Sequence, residues 1–224
     1  LLEPIMRLEV LCPDEFVGAM NARPADEGRS FFSKVKVGDA AFSPLVSLRS
    51  DPRNARTPML PFDGEGRPLE VQPWITAGKL EALAMSRFWA QKTKRAPVGG
   101  HGGFELAAGT TPRAKLLEGI KRGVLISRFW YTNWVDGQTL LLTGLTRDGT
   151  FWIEKGKIVE PVRNFRWNDS PLSVLAKVVA LGKRLACEAQ PPTELPVPRQ
   201  GPSPSDGQIR RNGRPPCSSA RRLP

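Results

Sequence analysis

The segments Val124 to Trp134, Thr139-Leu-Leu-Leu-Thr-Gly-Leu-Thr146, Thr150-Phe-Trp-Ile-Glu154 and Lys157-Ile-Val-Glu-Pro-Val162 decide how this chain is read. Each is rich in branched and aromatic residues, as suits a pleated, half-buried strand. They are joined at Asp136-Gly137, Asp148-Gly149 and Lys155-Gly156. Such pairs make tight hairpins because glycine adopts positive φ without a Cβ clash. The spacing predicts a four-stranded β-meander. Period-two alternation would put Thr143, Leu145, Phe151 and Ile153 on one face and Trp152 on the other. At least one of the two faces is then expected under helices, and if it is the first, Trp152 is expected as an interface anchor.

Working outward, Val35-Lys36-Val37, Leu45 to Leu48 and Val71 to Ile75 read as further strands, and Asp63-Gly64-Glu65-Gly66 and Ala77-Gly78-Lys79 as turns. Trp74-Ile75-x-x-Gly78-Lys79 is echoed by Trp152-Ile153-x-x-Gly156-Lys157, so two similar hairpins are expected. Ser86-Arg87-Phe88-Trp89 is echoed by Ser127-Arg128-Phe129-Trp130. Two helices are also predicted. One is capped by Thr111, starts at Pro112, presents Leu116, Leu117 and Ile120, and stops at Gly123; the other starts at Ser170-Pro171, presents Leu172, Leu175, Val178 and Val179, and stops at Gly182. The fold class is thus α+β, mainly antiparallel β: a twisted β-meander or barrel-like sheet with two packed helices and a disordered tail.

The chain has 224 residues and a net charge of +11. The segment 183–224 carries eight basic and three acidic residues, nine of the 22 prolines and no aromatic residue. It lacks the apolar area that would offset its ordering entropy, and is expected to be a disordered Pro/Arg-rich tail. In the remaining 182 residues basic and acidic side chains are interleaved. No apolar run approaches the ~18 residues of a membrane-spanning helix. Cys12, Cys187 and Cys217 are far apart, which fits a reducing cytoplasm and a cytosolic location. The opening Leu1-Leu2-Glu3, with no initiator Met or basic leader, reads as the start of a fragment.

Catalytic chemistry finds few candidates. His101, the chain's single histidine, sits in Gly99-Gly100-His101-Gly102-Gly103 and is expected in a solvent-exposed loop. With no CxxC, HExxH or HExxxH pattern, no complete zinc centre is expected. The glycine loop lacks phosphate-loop spacing, and no serine or cysteine has a base in view. Arg87-Phe88-Trp89 and Arg128-Phe129-Trp130-Tyr131 admit two readings. They form a stacking platform for single-stranded nucleic acid, or they are aromatic strands with Arg stems snorkelling over them.

Read as words, residues 123–131, 139–158 and 161–168 resemble the C-terminal domain of the TldD/PmbA metalloproteases, also described as modulators of DNA gyrase. So do Ala25 to Ser33, Ser50-Asp51-Pro52, Asp63 to Gly66 and Ser86 to Lys92. The resemblance covers residues 22–182 and implies a cytoplasmic, dimer-forming assembly for proteolysis of unfolded peptides. In such an assembly TldD-type subunits are the hydrolases and PmbA-type subunits are non-catalytic. The family's zinc-binding HExxxH lies upstream of the matched part and is absent here. Cys187, followed by Leu195-Pro196-Val197, is similar to the family's third zinc ligand, although the flanking glycines are missing and Pro191-Pro192 intervenes. The resemblance therefore implies zinc in the family, with none bound to this chain alone. The expected partners are an unfolded peptide and a TldD/PmbA-type subunit in a homo- or hetero-oligomer. A basic nucleic-acid-associated module is the alternative. Residues 1–21 are set apart as an N-terminal remnant, because Glu3 to Val10 and Pro13 to Gly18 resemble a segment of translation elongation factor G.

Overall fold

A computed structural model describes Phe16, residues 18–100 and residues 102–183. The earlier part of the expected N-terminal remnant and the expected tail beyond Lys183 lie outside the described residues. The elements are helix α1 (Ala22–Asp26), a single 3-10 turn (Phe31–Ser33), strands β1 (Leu48–Ser50), β2 (Gln72–Thr76) and β3 (Lys79–Leu80), helix α2 (Arg87–Thr93), strand β4 (Phe104–Leu106), helix α3 (Arg113–Glu118), strands β5 (Arg122–Asp136), β6 (Leu141–Glu154), β7 (Lys157–Pro161) and β8 (Arg166–Asp169), and helix α4 (Pro171–Ala176). Two antiparallel sheets result. One has the order β3-β2-β1-β4; in the other β6 is central, with β5 on one side and β7 and β8 on the other. The architecture is α+β and mainly antiparallel. The second sheet is an open twisted meander, not a closed barrel, and the described residues hold four α-helices where two were expected.

Both echoed hairpins form. Ile75 pairs with Leu80 around Ala77-Gly78, and Ile153 pairs with Ile158 around Lys155-Gly156. The turn residues have nearly the same backbone, φ 47° and 81° in the first and 47° and 77° in the second. Such a pair of positive φ values matches the twist of the flanking strands.

Asp148-Gly149 behaves differently. β6 runs unbroken through it, so the expected separate strands Thr139–Thr146 and Thr150–Glu154 are one. Ile126 pairs with Thr150 and Arg128 with Arg147, leaving Asp148 and Gly149 opposite Ser127 as a bulge. The 15-residue β5 pairs with both halves and holds them in one ladder, while positive φ at Asp148 and Gly149 absorbs the extra length. The bulge, with a second irregularity between Trp152 and Ile153, re-phases the strand. Leu142, Gly144, Thr146, Thr150 and Ile153 are the buried positions; Thr143, Leu145, Phe151 and Trp152 are half-buried. The expected face is therefore right at Ile153 and displaced at the other three.

The remaining corrections have local causes. Val35-Lys36-Val37 is a turn rather than a strand, with Asp39 accepting the Lys36 N–H at 2.8 Å. The expected strand Leu45–Leu48 begins at Leu48 and runs on to Ser50. Thr111 does not cap α3. Its carbonyl accepts the Lys183 N–H at 2.8 Å, and Pro112 holds the cap position. Helix α3 ends at Gly119 instead of Gly123 because the β6–β7 turn takes the next carbonyls: Gly156 N–H donates to Ile120 and Lys155 N–H to Lys121, both at 2.8 Å. Helix α4 starts as expected, with the Ser170 hydroxyl accepting the Leu172 N–H and Pro171 in the first turn. It stops at Ala176 because Ser43 captures its end, donating its N–H to Leu175 C=O and its hydroxyl to Val178 C=O at 2.6 Å. Val179, expected on the packed face, is 90% exposed.

The main core lies under the first sheet. Trp74, Leu48, Ile75 and Leu80 meet Phe16, Met20, Phe32, Phe42 and Trp89, and Leu172 and Leu175 of α4 join them. A smaller cluster under the second sheet gathers Ile126, Trp167 and Val174 around Phe129, whose ring lies 4.4 Å from that of Trp167.

Candidate functional site

The family-like motifs converge on α2, a helix where one of the two readings of Arg87-Phe88-Trp89 expects a strand. Ser86 accepts the Trp89 N–H, and the Glu65 carboxylate accepts the Arg87 N–H at 2.9 Å, so two groups satisfy the otherwise open N-terminal donors. Glu65 is held in place by its own loop. Asp63 accepts the N–H groups of Glu65 and Arg67 at 2.9 Å and pairs with the Arg67 guanidinium at 3.0 Å. Burial opposes ionisation of Asp63, but these donors outweigh it and hold the carboxyl below the ordinary aspartate value. On the other side, Trp89 Nε1 donates to Asp26 at 2.6 Å, Arg95 pairs with the same carboxylate, and Arg23 and Lys92 lie over the indole. Ser50 of the Ser50-Asp51-Pro52 motif accepts from the buried Trp74 Nε1 at 2.5 Å. Glu65 and Asp26 thus tie the 63–67 loop and α1 to α2, and Ser50 ties β1 to β2.

The aromatic and basic stretch on β5 shows the same habit. Arg128 and Arg147 lie over the Trp130 ring, 4.9 and 4.2 Å from its centre, and Arg122 lies over Trp152 at 5.0 Å. Cations of this chain occupy positions that a stacked base would need. The geometry supports the snorkelling reading of these arginines over the nucleic-acid platform.

The concavity best suited to a ligand lies elsewhere, between α3, the start of β5 and the segment that leaves α4. It encloses about 670 Å³, within the span usual for ligand sites. Its floor is apolar, from Leu106, Leu116, Ile120, Val174, Leu175 and Val178, and Lys115, Arg122 and Lys177 stand among its lining residues. One wall is a pair of extended segments zipped together, with Gly109 N–H donating to Gly182 C=O at 3.0 Å and Lys183 N–H to Thr111 C=O at 2.8 Å. Glycine makes that approach possible, since a Cβ at position 109 would stand 1.9 Å from the Leu181 carbonyl oxygen. Leu116, Ile120 and Val178 are expected from sequence on packed helix faces. The early ends of α3 and α4 leave them half-buried around this cleft.

His101, Cys187 and the other two cysteines lie outside the described residues. Among the described residues no three His, Cys, Asp or Glu side chains converge as metal ligands, so this part of the chain does not fit a zinc ion. Also among the described residues, no helix is long and apolar enough to cross a membrane.

A model of the family described as the PmbA/TldA metallopeptidase C-terminal domain matches residues 6–205, and the chain belongs to that family. Three crystal structures share its fold. A putative modulator of DNA gyrase from Thermotoga maritima superimposes with a TM-score of 0.72 at 21% identity, covering 81% of this chain and 44% of that one. A second putative modulator of DNA gyrase, from Bacteroides thetaiotaomicron, gives 0.69 at 22% identity, with 81% and 40% covered. TldE from Thermococcus kodakarensis gives 0.68 at 16% identity, with 81% and 43% covered. The chain thus spans about two fifths of the length of these structures. No curated protein matches it.

Proposed function

We propose that this chain serves a TldD/PmbA-type assembly in the proteolysis of unfolded peptides, acting in the cytoplasm as a non-catalytic part that seats the peptide and contacts a partner subunit. The observation that carries this reading is the cleft of about 670 Å³, whose apolar floor is walled by extended backbone. Apolar side chains of an unfolded segment are displaced from water there, and no particular side chain is demanded at any one position. A folded protein buries most such side chains and offers no extended apolar run.

The family's zinc chemistry is assigned to residues outside the matched words, with Cys187 as the position in this chain that resembles a ligand. The test is to mix the purified chain with a labelled unfolded polypeptide and its folded counterpart, following anisotropy and cleavage together. Binding of the unfolded form alone, without cleavage, is the expected result. Chelator-sensitive cleavage would overturn the non-catalytic role, and equal or absent binding of the two forms would overturn the docking role.

A further inference from the structure

The cleft's rim has a property that docking of unfolded chains in general does not require, namely a single sign of charge. Lys115, Arg122 and Lys177 are among its lining residues, and no acidic residue is. Lys115 has Glu118 at 3.6 Å, but both side chains are more than 60% exposed, so that pair is well screened. Among the described residues Lys177 has no carboxylate within ion-pair distance, and Arg122 lies over the Trp152 ring, with Glu154 opposite it in the β5–β6 ladder but not in an ion pair with it. Lys121 adjoins the lining residue Arg122 in sequence, and Lys183 adjoins Gly182.

Resting on the docking role, we propose that the cleft selects peptide segments in which a short apolar run is flanked by carboxylates. The apolar run takes the floor formed by Leu116, Ile120, Val174 and Val178, and the flanking carboxylates meet the three cations of the rim. A run flanked by lysines sets like charges against the same rim without changing the apolar contact, so the cleft discriminates by repulsion as well as attraction. Because the rim is open to solvent, the selectivity is sensitive to salt, whereas the apolar contact is not.

The experiment uses the full 224-residue chain and two labelled peptides, Glu-Glu-Leu-Val-Leu-Glu-Glu and Lys-Lys-Leu-Val-Leu-Lys-Lys, titrated by anisotropy at low and high salt. The acidic peptide should bind about tenfold more tightly at low salt, and the difference should shrink at high salt. Lys177→Glu should cut the preference about fivefold. Val179→Ser, at an exposed lining position, should weaken both peptides together. Neither change touches the core, and thermal melts will verify folding. Equal binding of the two peptides, lost together in Val179→Ser, would overturn charge selection while leaving the docking role standing. Binding of neither would overturn both. Binding that appears only after deletion of residues 184–224 would assign the cleft to the chain's own tail. Self-association abolished by Lys177→Glu would assign it to a second copy. Either of these last two results would overturn the proposal.

Discussion

Gly109→Ala is the substitution that separates the cleft's wall from the rest of the fold. A Cβ at this position would lie 1.9 Å from the Leu181 carbonyl oxygen and 2.7 Å from its carbon. Ordinary contact begins near 3.4 Å, so the two segments must part by more than an ångström. That distance is enough to break both hydrogen bonds of the zipper, Gly109 N–H to Gly182 C=O and Lys183 N–H to Thr111 C=O. Each is worth about 0.5–1.5 kcal/mol, giving about 2 kcal/mol together. The loss should remain local. The wall follows the exposed Val179, whereas Leu172 and Leu175 lie upstream in the core and the Ser43 N–H holds the Leu175 carbonyl. Hydrogen exchange is the matching assay, and the amides of residue 109 and Lys183 should exchange roughly thirtyfold faster while core amides keep their protection. Peptide binding should fall in parallel. The control is Gly119→Ala, which lines the same cleft but has helical φ −71° and meets nothing closer than 3.6 Å. It should be neutral or stabilising by about 0.4–1 kcal/mol. Unchanged protection at Lys183 in Gly109→Ala, or equal effects of the two substitutions, would refute the reasoning.

Two further outcomes test the sheet and the motif loop. Ile153→Ala empties a fully buried site on β6 and should cost about 2–5 kcal/mol in a denaturant melt, whereas Val159→Ala on the 57% exposed face of β7 should stay within about 0.5 kcal/mol. Equal costs would mean that the second sheet is covered on both faces. Because Asp63 has its carboxyl pKa depressed in the folded chain, its stabilising contribution is complete above the unfolded value, near the ordinary 3.8, and is lost as pH falls from there through the folded value. Melting temperature measured across that acid range should therefore fall more steeply in the native chain than in Asp63→Asn, and parallel curves would show that the Arg67 pairing adds nothing.

What the sequence determined by itself was whatever adjacent residues settle between themselves. The hairpins at Ala77-Gly78 and Lys155-Gly156 were legible because a positive φ is a property of the turn residues, independent of what surrounds them. The start of α4 was legible for the same reason, since Ser170 and Pro171 act within one turn of backbone. The family resemblance, too, rested on contiguous words.

Tertiary structure decided the rest, and the tetrapeptide Ser-Arg-Phe-Trp shows how. At residues 86–89 it opens a helix, because Glu65 arrives from a distant loop to cap it and Asp26 takes the indole N–H; at residues 127–130 it is strand, because β6 offers a full ladder alongside. The same competition for hydrogen bonds turned Asp148-Gly149 from an expected turn into a bulge and cut α3 and α4 short. The cleft exists because those helices end early and because two segments some seventy residues apart close together at Gly109 and Gly182. Nothing in either segment announces the other, since a backbone donor carries no record in its own side chain of which carbonyl it will reach.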